Sequence, residues 1–311
     1  MVHIPLERTI NETYRFAFRN ILSIFGIAWF PGLLALAAIA VAIWFLWPDI
    51  ANLVVSFPSD KDAAAQAMFR FVVKAFTVAG PLYLVIWVLQ TMTVVGVQQK
   101  ALGLIEGPVF VYFSLGSAVW RLILAHLVAF IVLYIGAALA VLGVVLVFWA
   151  GTQFHLPAIY ALVDAAAVVA AICACGYAFV RLIFFLPPVV VAEGGIGIGR
   201  AWQLGAGNFW RIVALFVVCV MAPAMGLGMV SNIVTTPLMM NAILPLRHAA
   251  ETQGVHSAAQ FWATAWPSLK VVVLFMIGYQ IVTWPILLGL TNAVSARAYR
   301  NVIPPDPLEA L

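Results

Sequence analysis

Long, uninterrupted runs of apolar residues alternate with short polar segments along the whole chain. A helix needs about 20 apolar residues to cross a hydrocarbon core of roughly 30 Å. Six runs meet or approach this length, at residues 21–47, 71–97, 122–149, 158–186, 212–230 and 271–294. The runs are continuously apolar, which favours helices over the alternating strands of a membrane barrel. The pattern therefore predicts an all-α fold, a polytopic membrane bundle of six transmembrane helices that forms a single domain over residues 1–311.

The composition agrees with this pattern and narrows the choice of partners. Hydrophobic residues make up 65% of the chain and charged residues 8%, against about 25% charged residues in soluble domains. The lipid bilayer is therefore the predicted partner of most side chains. The 15 Lys and Arg residues are scattered singly, so nucleic acid is not a predicted partner. No Cys/His spacing is typical of a zinc site, and no cofactor is predicted.

Basic residues are biased towards one side of the predicted bundle. With the N-terminus inside, the basic residues on or near the cytoplasmic face are Arg8, Arg15, Arg19, Lys100, Arg121, Arg181, Arg200, Arg211, Arg297 and Arg300. Those that fall outside are Lys61, Arg70, Lys74, Arg247 and Lys270. By the positive-inside rule, this bias predicts that the N-terminus of the multi-pass protein lies on the cytoplasmic side. Both termini are then cytoplasmic, because an even number of spans returns the chain to its starting side.

Three entries into the predicted spans look alike: FAFRNILSIFGIAWF from Phe16, SAVWRLILAHLVAFI from Ser117 and GNFWRIVALFVVCVM from Gly207. Each places an arginine just before an odd-numbered span. This similarity indicates three two-helix repeats with interfacial lead-in helices, followed by a short tail; the units cover residues 1–97, 98–191 and 192–303, and the tail covers 304–311. The alternative is that all inner boundaries share Trp and Arg because both anchor helices there.

Polar segments next to the spans carry further structural predictions. The amphipathic stretch 6–21 predicts a helix that lies in the interface or extends the first span into the cytoplasm. The long link 231–266 is predicted to lie in the interface or to re-enter the protein. Ser59 is a predicted N-cap of a helix that runs into the second span. Pro223, within MAPAMGLGM, predicts a broken helix.

The stretch RLIFFLPPVVVAEGGIGIGRAWQLGAGNFWRI runs from Arg181 to Arg211. It joins an arginine-bearing helix that ends in a proline, a glycine linker, a tryptophan-containing helix and a Gly-Asn-x-Trp-Arg entry. This arrangement resembles bacterial multi-pass proteins of the glycerophosphoryl diester phosphodiesterase membrane-domain superfamily, and INETYRFAFRN and SARAYR fit the same pattern. The resemblance implies a six-helix inner-membrane protein without an assigned activity. The chain has no room for the catalytic barrel that names the superfamily, so phosphodiesterase activity is not implied.

Charged residues in or beside the spans are the candidate functional residues. Lys74 and Asp164 are predicted either to reach the headgroups or to pair across the second and fourth spans. The three arginines Arg121, Arg181 and Arg211 lie near the inner boundary. There they are predicted to hold an anionic lipid headgroup, or to act only as positive-inside anchors.

The sequence offers no motif for a chemical reaction. It contains no His-Glu-x-x-His, no Gly-x-Ser-x-Gly, no phosphate-cradling loop and no pair of intramembrane aspartates. We therefore expect a non-enzymatic protein that organises the envelope or its lipids, in a scaffold role. The alternative is a small secondary transporter or permease with a site at Pro/Gly-broken helices.

Overall fold

The computed structural model describes residues 3–56, 61–153, 157–253 and 258–303, and helices dominate all four ranges. The helices are α1 (Leu6–Arg19), α2 (Ile21–Ser56), α3 (Lys61–Leu102), α4 (Ser117–Gln153), α5 (Pro157–Ile183), α6 (Leu186–Glu193), α7 (Ile198–Gly205), α8 (Phe209–Phe216), α9 (Ala222–Gln253) and α10 (Ala258–Val302). A π-helical turn, Val217–Met221, joins α8 to α9. No strand occurs in the described ranges, so the predicted all-α class is confirmed.

Six stretches of these helices are long and apolar enough to cross a membrane, as the sequence predicted. Within the described residues they are Ile21–Ile50, Ala65–Leu102, Ser117–Gly151, Ala165–Glu193, Phe209–Asn241 and Leu269–Val302. Apart from α5, the long helices extend beyond the predicted runs. For example, α10 has 45 residues, so at 1.5 Å per residue it is about 67 Å long, roughly twice the hydrocarbon thickness.

The extra helix length corrects the predictions for the link 231–266. The fifth span continues through Pro237 to Gln253 as α9, and residues 258–266 are already the first turns of α10. The described parts of the link are therefore extensions of α9 and α10, which contradicts a re-entrant segment, while a position of these helix ends in the interface stays a prediction. The predicted helix into the second span is confirmed from Lys61 onwards, whereas Ser59 lies outside the described residues.

The long helices form three hairpins. Each odd-numbered span packs mainly on the span that follows it: α2 on α3, α4 on α5, and α9 on α10. Away from one end of the bundle the apolar side chains are largely exposed; Trp44 is 79% exposed and Phe76 is 77% exposed. Water does not tolerate this much contiguous apolar surface, so these faces are suited to lipid. The hairpins correspond to the predicted two-helix units, while the three-fold repeat itself stays a prediction.

The buried core lies almost entirely at the other end, which we call the packed end. It comprises α1, the connecting segment 103–116, α6, α7 and the last turns of α10, together with the helix ends that they contact. Its largest fully buried side chains include Leu122 of α4, Phe185 before α6, and Leu215 of α8. Because elements from all three hairpins meet there, the packed end is what joins the hairpins into one domain.

At the packed end, α1 lies antiparallel along the last turns of α10. Near the start of α1, the Asn301 amide donates to the Thr9 hydroxyl at 3.1 Å. Near its end, Ala17 sits so close to Gly289 that a Cβ on this glycine would lie 3.3 Å from the alanine Cβ. The helix predicted from residues 6–21 is thus confirmed over Leu6–Arg19. Its buried face, however, includes Thr9 and Thr13, because this face meets protein.

The π-helical turn stands where the sequence predicted a broken helix. In this turn the Ala222 N–H donates to the Val217 carbonyl, five residues back. The next carbonyl in this register, that of Val218, would need a donor on Pro223, which has no N–H. The Tyr14 hydroxyl of α1 donates to the Val218 carbonyl instead, at 2.8 Å. The helix therefore continues as α9 through a one-turn change of register, and α1 satisfies the carbonyl that the proline leaves unpaired.

We predict that Tyr14→Phe lowers the free energy of unfolding by about 1 kcal/mol, because it removes the hydrogen bond to the Val218 carbonyl while keeping the ring. Thermal unfolding of the purified protein in detergent measures this. Tyr134→Phe is the matched control, since Tyr134 is 78% exposed on α4. Equal melting temperatures for the two variants would contradict this role of Tyr14.

The acidic side of α1 makes its docking sensitive to pH. Burial raises the pKa of Glu12, but hydrogen bonds from Arg8 and Asn301 and the positive charges of Arg8 and Arg297 outweigh this, so its pKa lies below the ordinary 4.5. The stabilisation that the ionised Glu12 gives to the docking of α1 is therefore complete above pH 4.5. It is lost as the pH falls through the lowered pKa of Glu12 in the folded protein.

We expect the melting temperature of the wild-type protein to fall more between pH 6 and roughly pH 3.5 than that of Glu12→Gln, which carries no titrating carboxylate at this position. The two proteins are compared in one detergent at matched ionic strength. Parallel pH profiles would show that Glu12 makes no such contribution.

Candidate functional site

Several contacts hold Arg181 near the C-terminal end of α5. Its Nε donates to the Trp202 carbonyl at 3.0 Å, and its Nη1 donates to the Tyr177 hydroxyl at 3.1 Å. The guanidinium carbon also lies 4.1 Å from the centroid of the Trp202 ring, within the range of a cation–π contact. These contacts fix the position and the orientation of the guanidinium. An arginine that acted only as a positive-inside anchor would not need a fixed orientation.

A glycine lets α7 approach α5 closely enough for these contacts. A Cβ on Gly205 would lie 2.6 Å from both the Cγ and the carbonyl oxygen of Arg181. Any larger residue would push the two helices apart and would move Trp202 off the guanidinium. The glycine linker before α7, residues 194–197, provides the turn that brings α7 back onto α5.

Arg211 joins the start of the fifth span to the N-terminal segment. Its Nη1 donates to the Ile4 carbonyl at 2.8 Å. The Ile4 N–H in turn donates to Oδ1 of Asn208 at 3.1 Å, and both Ile4 and Asn208 are fully or almost fully buried. The Gly-Asn-x-Trp-Arg stretch, read from the sequence as a membrane entry, is therefore also the clamp that fixes the chain just before α1.

A groove of about 940 Å³ lies between α5, the start of α8 and the N-terminal segment. Its lining includes Tyr177, which binds Arg181, together with Arg211, Trp210 and His3. Trp210 is 77% exposed, as is typical of an indole at a membrane boundary. The groove thus combines an apolar floor with a cationic rim and aromatic walls.

Two of the three predicted arginines share this groove and the third does not. Arg211 lines it, and Arg181 borders it through its hydrogen bond to Tyr177. Arg121 lies instead beside the glycine linker, where its Nη1 would be 3.1 Å from a Cβ on Gly194. The sequence places all three at one boundary but does not show which helix face each one occupies.

The charges around the packed end are mostly positive. Its ten basic residues are those predicted for the cytoplasmic face, and its acidic residues within the described ranges are four: Glu7, Glu12, Glu106 and Glu193. Glu193 accepts from the Tyr299 hydroxyl at 2.9 Å and pairs with Arg200 at 3.4 Å, and Glu12 pairs with Arg8 at 2.8 Å. The excess of positive charge gives the packed end a field that attracts anions.

Lys74 forms an ion pair that the sequence analysis missed. Its Nζ lies 2.6 Å from Oδ2 of Asp49, near the far end of the first hairpin. The side chain of Asp164 lies outside the described residues, so its pairing with Lys74 stays a prediction. Asp49 follows Trp47 and Pro48 at the end of an apolar run. In the sequence, Asp49 therefore resembles a residue at the end of a membrane span. The packing of α2 on α3 brings it opposite Lys74.

We expect a double-mutant cycle of Lys74→Ala and Asp49→Ala to show a coupling of about 1 kcal/mol in thermal unfolding, because each single change leaves the other charge without its partner. A second cycle, with Asp164→Ala in place of Asp49→Ala, serves as the comparison. Additive effects in the first cycle, or coupling in the second cycle alone, would contradict the observed pair.

Comparison with known proteins does not extend the argument from geometry. No family model matches the chain, and no curated protein and no solved structure matches it either. The resemblance to the phosphodiesterase membrane-domain superfamily therefore stays a prediction.

Proposed function

We propose that this chain is a non-enzymatic protein of the bacterial inner membrane that organises lipid by binding anionic headgroups at its packed end. In this proposal the packed end and both termini lie on the cytoplasmic side, as the ten basic residues of that end favour. The observation that carries the proposal is the groove of about 940 Å³ that joins Arg211 and His3 to the neighbourhood of Arg181.

The chemistry of the groove suits a phosphate group next to an acyl chain. A guanidinium has five N–H donors in a planar fork, and it matches a phosphate in both charge and geometry. The described contacts of Arg181 use Nε and Nη1, and the described contact of Arg211 uses Nη1. Each guanidinium therefore has further donors for a ligand, while Tyr177 and Phe209 present apolar surface beside them.

The surroundings also favour lipid over a transported solute. Within the described part of the chain, the groove between α2 and α3 is lined by Ala, Val, Leu, Phe, Pro and a single Thr. The groove between α2 and α10 is lined by apolar residues apart from Gln280. A polar site near the midplane, which a permease would use, is not among these grooves. Their walls fit acyl chains.

We expect Arg181→Gln and Arg211→Gln each to reduce retention of cardiolipin about fivefold in native mass spectrometry, because one basic residue near an anionic surface contributes about 1 kcal/mol. Arg15→Gln is the matched control: it removes one charge at the same end from an exposed site on α1. Thermal unfolding of each variant shows whether the fold survives.

Two comparisons separate binding from mere attraction or unfolding. Arg211→Lys keeps the charge but loses the fork, so we expect retention between that of the wild type and that of Arg211→Gln. If the control Arg15→Gln lowers retention as much as the groove variants do, the groove is not the binding site. Unchanged retention of cardiolipin in both Arg181→Gln and Arg211→Gln would contradict the proposal.

A further inference from the structure

The segment that connects α3 to α4, residues 103–116, does not simply bridge the two helix ends. It runs back along the side of α2. The Val109 N–H lies 3.4 Å from Oγ of Ser23, and the indole Nε1 of Trp29 donates to the Phe110 carbonyl at 2.7 Å. Further along, the Phe113 ring packs edge-on against Phe30, with centroids 5.7 Å apart.

Two glycines shape the surface on which this segment lies. A Cβ on Gly26 would overlap the carbonyl of Val109, so only glycine permits the contact. On α3, a Cβ on Gly96 would lie 2.9 Å from the Tyr112 ring, whose hydroxyl donates to Oε1 of Gln99 at 3.0 Å. The segment therefore fits against α2 and α3 where Gly26 and Gly96 leave room for its backbone and for the Tyr112 ring.

The depth of the segment follows from helix geometry. Trp29 is eight residues beyond Ile21, the first residue of α2, which corresponds to about 12 Å along the helix axis. Gly96 lies six residues before the end of α3 at Leu102, or about 9 Å along the axis. Both helices are membrane-spanning candidates from these ends onwards. We infer that residues 108–113 form a re-entrant loop inserted among the acyl chains of the leaflet at the packed end.

The exposed side chains of the loop identify lipid as its partner. Phe110 is 77% exposed, Val111 57% and Phe113 54%. They continue the exposed apolar surface of the first turns of α2, where Leu22 is 81% exposed. A loop among acyl chains needs protein partners for its backbone groups. Ser23 and Trp29 are such partners.

The entry to the loop has the chemistry of a headgroup region. Nζ of Lys100, in the last turn of α3, donates to the carbonyls of Ile105 and Gly107. Glu106, between these two residues, is exposed. A charged entrance followed by an apolar tip is what a loop needs if it passes from the headgroups into hydrocarbon. This inference does not depend on the groove at Arg211, which lies on other elements.

Site-directed spin labelling tests the loop directly. In a variant with Cys173→Ser, Cys175→Ser and Cys219→Ala, single cysteines replace Phe110, Phe113 or Glu106. Each is labelled in vesicles of phosphatidylcholine and phosphatidylglycerol, and collisions with oxygen and with a water-soluble nickel complex are measured. We expect oxygen to dominate at positions 110 and 113, and nickel to dominate at position 106.

The other outcomes overturn the inference. Dominant nickel collisions at positions 110 and 113 would place the loop in water. Exclusion of both reagents there would mean that protein, such as a second copy of this chain, covers the loop.

A glycine variant tests what holds the loop in place. Gly26→Leu should increase nickel collisions at position 110, because it displaces Val109. Gly80→Leu, with open space around its Cβ position, should leave them unchanged. If Gly26→Leu also leaves the depth at position 110 unchanged, the docking on α2 is wrong.

Discussion

Backbone N–H and C=O groups have no partner in hydrocarbon, and the described structure follows from this constraint. Helices satisfy it along most of the chain. At two places where the helical pattern fails, a side chain from another part of the packed end supplies a partner. Tyr14 donates to the carbonyl that Pro223 leaves unpaired, and Trp29 donates to the carbonyl of Phe110 in the connecting segment. The packed end is therefore where irregular backbone can exist in this protein.

Since the hairpins contact one another mainly at the packed end, that end also determines how they are arranged. The antiparallel contact of α1 with the end of α10 joins the first hairpin to the third, and α6 joins the first two hairpins. The same end carries the basic residues, the groove at Arg211 and the connecting segment along α2. Its structure and its proposed contact with lipid are therefore parts of one assembly.

The sequence predicted the fold class and the six spans because hydrocarbon thickness imposes a length that can be counted. It also placed Arg181 and Arg211 at one boundary. It did not predict the groove that Arg211 lines and Arg181 borders, since this depends on how α5, the start of α8 and the N-terminal segment pack together. It missed Gln98, a fully buried amide of α3 that donates to Asn292 and Ser295 of α10. Packing decides which side chains face another helix. A run that is apolar on all sides has no amphipathic pattern from which this face can be predicted.

The most direct measurement concerns the contact of α1 with the end of α10, on which the packed end depends. In a cysteine-free variant with Thr9→Cys and Asn301→Cys, a short bifunctional thiol reagent is applied to the protein in native membranes. The account predicts rapid intramolecular cross-linking, since these two side chains are in hydrogen-bond contact. A pair of Thr9→Cys and Tyr83→Cys should not react, because Tyr83 lies 19 residues, or about 28 Å, along α3 from its end at Leu102. Labelling of residues 9 and 301 from opposite faces of the membrane, without cross-linking, would contradict the account.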